Sequence, residues 1–404
     1  MKSKYDTEGF PWHLPPTRPE RDLSQAMERL YSKYQTPRPE DNPLFTSFKY
    51  TEIKGFDYGK RDGKISRRDP SKIICENGRY YIWYTKRDTI SPPRGAELCT
   101  DEIPSMDWDL SEIWYATSED GFTWQEQGVA VPRPKKPALG WRAVCTPDIL
   151  VWKGKYYLYY QAFEEASGTK GDNCPVTVSY ADSPDGPWTA CGHIVVGNGP
   201  EGDWDQYSVH GPYPMVVNNQ IYVYYKAALG VRPDYLVGNG LAIADDPLGP
   251  YTKHPLNPIL NSGHETTVFR FGKGIAAFAI RNGIEANTIQ YSEDGVNFDI
   301  AAVTSLMPVG AGPYIPDIFI SEGEGQGFTW GLSHFCDHKA VNNKFSFLGR
   351  FDCDLQNKIP RSKVANNTDV IHDPSVFFAQ GLSDELRQKR SQEAQRIALK
   401  SKNS

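Results

Sequence analysis

Asp69 lies in ISRRDPSKII, directly after Arg67 and Arg68. A carboxylate beside a fixed cation stays ionised, the state that a general base or a nucleophile requires. Asp148, in CTPDILVWKGK, and Asp317, in YIPDIFI, also stand next to a proline, although a turn Asp beside proline is common for structural reasons alone. His264 and Glu265, in NSGHETTVF, begin like a zincin motif, but position 268 is Val and a strand-like run follows, which rejects a metalloprotease. A Glu or His facing carboxylates from other segments suits a general acid, because negative neighbours raise its pKa. His210, in EGDWDQYSVHGPYPM, reads as a hydrogen-bonding pocket residue, a metal ligand or a structural histidine, with Asp203 and Asp205 on the loop before it. Carboxylates on opposite sides of one pocket are the equipment for glycosidic bond cleavage. One group protonates the leaving oxygen while the other activates water or attacks C1.

Those residues can meet only if the chain gathers them, and a repeat provides the means. Asp69-Pro70, Pro147-Asp148, Gly211-Pro212, His264-Glu265 and Pro316-Asp317 each open a unit. An apolar aromatic run follows most of them: CENGRYYIWYT from Cys75, VWKGKYYLYYQ from Val151, VNNQIYVYYK from Val217 and FRFGKGIAAFAI from Phe269. Early units close on an Asp/Gly turn, as in WYATSEDGFTW, VSYADSPDGPW, LAIADDPLGPY and IQYSEDGVNF. Successive openings are about 79, 63, 53 and 52 residues apart, the range of propeller blades with variable loops. The expectation is an all-β, five-bladed β-propeller whose inner strands bring these polar residues around one axis. Aromatics make up 13% of the 404 residues; most serve inter-blade packing, and an aromatic cleft also suits sugar rings.

Three regions result: an N-terminal helical arm over 1–45, the propeller over 46–372 and a helical tail over 373–404. In the arm, Asp22 to Gln35 reads as a helix with Ser24 as N-cap and Met27, Leu30, Tyr31 and Tyr34 on one face. In the tail, Ser383 to Lys402 has a helical pattern. The net charge of −6 and the lack of a dense basic stripe argue against nucleic acid. No apolar run of membrane-spanning length exists. The opening MKSKYDTEGFPWHL lacks the apolar core of a signal peptide, and both the bacterial cytoplasm and the periplasm stay open. Seven dispersed cysteines without a CxxC pair read as free thiols.

Propellers with this equipment resemble the arabinanase and xylosidase type of glycoside hydrolase, and one family is resembled specifically. SRRDPSK around Asp69, IWYATSEDG from Ile113, GWRAVCTPD from Gly140, NCPVTV from Asn173 and GHETTVF around His264 are similar to glycoside hydrolase family 117, the 1,3-α-3,6-anhydro-L-galactosidases. Ser24-x-Ala26-x-x-Arg29 with Gln35 resembles that family's helical dimerisation motif. The resemblance implies an inverting, exo-acting hydrolase releasing 3,6-anhydro-L-galactose from the non-reducing end of neoagarooligosaccharides. It implies Asp69 as general base and His264 as general acid with Glu265 beside it. Trp141, Thr146 and Gln161 match substrate contacts, and Arg68 and His210 belong to the same pocket. A homodimer by exchange of N-terminal helices is also implied. No cofactor is required; a divalent cation near the central pocket is the one candidate ion, its ligands unassigned. The chain departs at one place. The family's third blade opens His-Asp-Pro, with that Asp a further active-site carboxylate, whereas this chain reads His210-Gly211-Pro212. Either Asp205 or Asp148 supplies the third carboxylate, or the role is missing. The rival readings are a propeller that binds oligosaccharide with impaired catalysis and an α-glycosidase for another algal or plant sugar.

Overall fold

A computed structural model describes residues 17–32, 43–167, 173–228, 237–337 and 345–357. Every ladder between its strands is antiparallel. The first sheet holds β2 (Ile65–Arg68), β3 (Ile74–Glu76), β4 (Arg79–Asp88), β5 (Glu112–Ser118) and β6 (Gln125–Val131); β1 (Lys49–Thr51) precedes it in the chain and pairs elsewhere. The second sheet runs from β7 (Ala143–Trp152) through β8 (Lys155–Phe163) and β9 (Val176–Ala181) to β10 (Thr189–Ala190). The third runs from β11 (Ser208–Val217) through β12 (Gln220–Ala228) and β13 (Val237–Ala244) to β14 (Thr252–Lys253). An eight-stranded sheet completes the fold. It joins β15 (Thr267–Gly272), β16 (Gly274–Ala279), β17 (Thr288–Ser292) and β18 (Asp299–Val303) to β19 (Gly312–Pro313), β20 (Gly325–Asp337), β21 (Phe345–Gln356) and β1. Among the described residues, the strand ladder between its two halves is confined to Phe271 and Gly272 pairing with Gln326 and Gly325. Pairing of β1 with β21 brings early and late chain together.

The aromatic runs fold as the hairpins their pattern implies, because alternate residues are buried against neighbouring sheets. Most of the large apolar clusters bridge successive sheets, or the two halves of the eight-stranded one. Trp83 and Ile113 meet Ile149 and Leu158, Val178 meets Val223, Leu241 meets Val268, and Phe269 lies edge-on to Phe328 at 4.6 Å. Ile82 and Tyr84 of the first sheet pack on Trp330 and Leu332, so the last sheet is in contact with the first. The molecule is therefore all-β and propeller-like. The Asp/Gly turns are built alike: Asp120 accepts from the N–H groups of Phe122 and Thr123, and Asp294 from those of Val296 and Asn297.

Only one helix is described, α1 (Gln25–Arg29), shorter than the span expected from the pattern. Ser24 is its N-cap, accepting from Met27 N–H and donating to the Pro258 carbonyl. The backbone turns out of the helix at Leu30, so Leu30 and Tyr31 lie beyond it. Residues 33–42 and the expected tail helix lie outside the described residues. The described cysteines are free, as their dispersal indicated.

Candidate active site

One backbone feature recurs near the axis. Asp69, Thr146, Gly211, Glu265 and Gly310 have φ of 49°, 51°, 54°, 57° and 54°; Thr146 and Gly211 stand at bulges in β7 and β11, Glu265 and Gly310 just before β15 and β19, and Asp69 in the break between β2 and β3. In β7 and β11 the register shifts at this point, and the proline that follows Thr146 or Gly211 has no N–H to lose there. The left-handed conformation is unusual for Asp and Glu and an outlier for a β-branched Thr. Its recurrence marks equivalent positions in successive repeats. This corrects two openings. Thr146, not Asp148, is the counterpart of Asp69, and Gly310, not Asp317, is the counterpart in the last unit. In each case the residue before the proline, or its equivalent, carries the kink.

Asp69 is 5% exposed. Its Oδ2 accepts from Arg68 Nε at 2.9 Å, Thr146 Oγ1 at 3.2 Å and Thr85 Oγ1 at 3.4 Å. Burial opposes ionisation, but the Arg68 guanidinium holds the carboxyl well below the usual carboxylate range. Oδ1 is buried and receives no hydrogen bond. His334 Nδ1 stands 3.3 Å from it, yet that nitrogen accepts the Asp69 backbone N–H at 3.2 Å. The imidazole proton is thus on Nε2, and Oδ1 keeps its lone pairs. An ionised carboxylate with one anchored and one uncommitted oxygen is arranged to take a proton.

Glu265 is gripped from several sides. Arg68 Nη2 reaches Oε1 at 3.0 Å, Arg281 Nη1 lies 3.4 Å and His334 Nε2 3.7 Å from Oε2. Burial would raise its pKa, but the Arg281 and Arg68 guanidinium groups lower it. Glu265 is therefore a carboxylate, not a proton donor. Its oxygens also approach those of Asp69 to within 4.8 Å, too close for an inverting pair, which needs roughly 6.5–9.5 Å. His264 has a side chain 28% exposed, with Nε2 3.8 Å from Glu265 Oε1 and Nδ1 3.5 Å from Asn282 Nδ2.

Among the described residues, the third sheet contributes no carboxylate at this ring. Gly211 donates its N–H to Gln161 Oε1 at 3.1 Å, so Gln161 positions the kink. His210 Nδ1 lies 3.4 Å from Lys226 Nζ, and its Nε2 is buried without a partner. Burial, and after it the Lys226 charge, pushes His210 well below the ordinary histidine range, so the ring is neutral.

Several sequence candidates sit elsewhere. Asp148 is buried against Lys72, accepting from its backbone N–H at 2.8 Å and from its ammonium, which also donates to the Pro214 carbonyl. Asp205 is buried against Lys253 Nζ at 2.6 Å and Tyr225 OH at 3.0 Å. Asp317 accepts the Gln326 N–H. All three are occupied with structural bonds, so none takes the place of a carboxylate at 211. Trp141 lies before β7 with the Lys136 ammonium 4.1 Å over its ring, and no described contact joins it to the Asp69 group.

His334, Arg281 and Lys226 escaped the sequence reading. Thr85, Gln161 and Lys226 face Arg68, Cys145 and His210 across equivalent ladders. Each is the polar residue ending an aromatic run, WYT, YYQ or YYK, so aligning the runs would have exposed them. The signal for His334 is weaker, a lone imidazole in the apolar strand FTWGLSHFCD. Asp69, Glu265 and His334 could each offer one ligand atom to a metal ion. With Arg68 and Arg281 already against both carboxylates, the set is compensated by guanidinium groups and fits a cation poorly.

Comparison with known proteins bears on the family and the fold. The model of the glycosyl hydrolases family 43 matches residues 63–206, which include Asp69 and Thr146. No curated protein matches. A structure described as a glycoside hydrolase covers 86% of this chain and is covered in full at 13% identity and TM-score 0.52. A structure of BT0996 covers 85%, also in full, at 14% and 0.52; these two share the fold. Zg3597, a family 117 glycoside hydrolase of the marine bacterium Zobellia galactanivorans, is 59% identical over 85% of this chain and all of its own, with TM-score 0.76. Identity of that order over 85% of the chain means that the chain belongs to glycoside hydrolase family 117.

Proposed function

We propose that this glycosidase is exo-acting and inverting and releases 3,6-anhydro-L-galactose from the non-reducing end of neoagarooligosaccharides. The observation that carries the proposal is the ionised Asp69 with Oδ1 uncommitted. A water held at Oδ1 gives its proton to the carboxylate as its oxygen attacks C1. His264 protonates the departing glycosidic oxygen, and the C1–O bond breaks with inversion. Glu265 is the electrostatic partner of the His264 imidazolium rather than a donor. Five blades follow from reading the eight-stranded sheet as two halves, consistent with five left-handed positions around the axis. A homodimer formed by exchange of α1, with no required cofactor, completes the reading. Asp69→Asn tests it: turnover of neoagarobiose should fall on the order of 10²–10⁴-fold with folding intact. Retention of a tenth of the activity would remove Asp69 from the mechanism, and a retained anomer by NMR would remove inversion.

A second reading has its own observation. Gly211 leaves the third position of the ring without a carboxylate, which favours a propeller that binds oligosaccharide but turns neutral neoagarobiose over weakly, or one that acts on a related α-linked sugar.

A further inference from the structure

The loop that Pro316-Asp317 opens plays no part in the active site, and it shapes a second concavity. Asp317 accepts the Gln326 N–H, Ile320 N–H donates to the Asp317 carbonyl at 2.9 Å, and Arg270 Nη1 donates to the Ile320 carbonyl at 2.8 Å. Ile318 packs on the cluster around Trp83 and Ile149. The loop is held at both ends, yet it presents Phe319 and Ile320 to solvent, 46% and 51% exposed. Adjacent large apolar side chains held outward on a fixed backbone form the kind of surface that meets a ligand.

Both side chains line a cavity of about 640 Å³, within the roughly 300–1,000 Å³ of small-molecule sites. Its other walls come from the hairpin turns of three sheets: Glu76 at β3–β4, Trp152 and Lys153 at β7–β8, and Asn219 at β11–β12. Trp152 comes six residues after Thr146 on β7. At about 3.3 Å per residue, the cavity is roughly 20 Å from the Asp69 ring. Lys72, Asp148 and Tyr213 are buried along the same three segments between them, with the Lys72 ammonium against Asp148 and 4.1 Å over the Tyr213 ring. The two openings are therefore opposite ends of the axis, with packed side chains between them.

The lining selects the ligand. Glu76 Oε2 is buried and receives no hydrogen bond. A carboxylate oxygen accepts from hydroxyls and repels a second anion. The Lys153 ammonium is drawn over the Trp152 ring, at 4.6 Å. A neutral sugar ring supplies hydroxyl donors for Glu76 and an apolar C–H face for Phe319.

We propose that this cavity is a second, non-catalytic site for a neutral oligosaccharide, with Phe319 against a sugar ring and Glu76 accepting from a hydroxyl. The inference rests on the glycosidase reading above: a sugar chain held at the far end of the axis keeps the enzyme on its substrate.

The test is calorimetric titration of the Asp69→Asn protein, which should bind without cleaving, with neoagarohexaose and with its O-sulfated form. Neoagarohexaose should fill two sites per chain. Adding Phe319→Ser, a change at an exposed position, should remove one of them. Adding Glu76→Gln instead, which keeps the shape, should weaken that site at least threefold, and the sulfated sugar should bind there at least threefold more weakly. In the otherwise unmodified protein, Phe319→Ser should leave neoagarobiose turnover unchanged. A single site that survives both changes overturns the proposal. So does a second site that neither change affects, or one that takes the sulfated sugar equally well. A single site lost in Phe319→Ser upholds it, and no binding of either sugar overturns it. Cleavage of neoagarobiose by the unmodified protein decides the hydrolase reading separately, so either can fail alone.

Discussion

At the scale of single residues, the division of labour between His264 and Glu265 follows from charge. Glu265 faces two guanidinium groups and holds no proton to give, which leaves His264 as the donor in the proposed reaction. Substrates whose leaving group needs no protonation make this testable. His264→Asn should lose on the order of 10²–10⁴-fold on neoagarobiose yet recover most of its rate on an activated aryl glycoside, whereas Asp69→Asn should recover on neither. Recovery of both variants alike would reject the assignment. Gly211→Asp is the complementary test. The left-handed backbone already accepts Asp and Glu at 69 and 265, so the new side chain should enter without rearrangement and add the charge that favours an oxocarbenium-like transition state. Neoagarobiose turnover should rise at least about tenfold, roughly 1.4 kcal/mol in the barrier. No gain in a well-folded variant would favour a different substrate over a missing charge. Asp69, Gly211, His264 and Glu265 were legible because each opens a repeat, whereas Thr146 entered only through the family resemblance. Asp148 misled because the proline served as the anchor and the residue after it, rather than before it, was taken as the match.

At the scale of elements, the carboxylate of Glu126 on β6 ties together the strands that present Asp69. Arg67 donates to it twice, at 2.9 and 3.0 Å, with Tyr84 at 2.6 Å and Lys86 at 2.9 Å. Burial would raise its pKa, but these partners, Arg67 foremost, bring it down to about 2. The folded pKa lies below the unfolded value of about 4.3, so this stabilisation is fully present above that pH and is lost as pH falls toward 2. Glu126→Gln should therefore cost about 1.5–3 kcal/mol at pH 7, the usual worth of a charge-assisted hydrogen bond. In denaturant melts the gap between variant and parent should narrow between about pH 4.3 and 2. A gap that stays constant across that range would mean that the charge of Glu126 contributes nothing. The strands themselves were readable from their alternating aromatics. Their polar partners were not, because pairing Arg67 with Glu126 requires the registers of the three ladders that join β2, β4, β5 and β6, which the sequence of any one strand leaves open.

At the scale of the whole molecule, the N-terminal motif acquires a physical meaning in its socket on the fourth sheet and its loops. Ser24 donates to the Pro258 carbonyl, Asn261 donates to that of Ala26, and Arg29 reaches Glu285 Oε1 at 2.8 Å, Oε2 at 3.1 Å and Gln290 Oε1 at 3.0 Å. Here the receiving surface belongs to the same chain; an exchanged dimer uses the same contacts with the partner's helix in the socket. Either way, removing α1 strands a buried Glu285, and breaking one side of a buried ion pair typically costs about 3–5 kcal/mol. Deletion of residues 1–36 should lower the melting temperature and, if helices are exchanged, convert a dimer to monomers or aggregates as the apolar face that Ala26 and Met27 cover becomes exposed. Arg29→Met separates the two effects, since it disrupts the socket while keeping the length of the arm. A truncated protein that still runs as a clean dimer by light scattering would show that α1 does not hold the pair. A full-length protein that is monomeric across micromolar concentrations would remove the exchange altogether and leave α1 as a clamp on its own propeller. The capping Ser24 was legible in the sequence, because a cap is a local event. Whose socket the helix enters is a property of the closed assembly, which no stretch of residues can specify by itself.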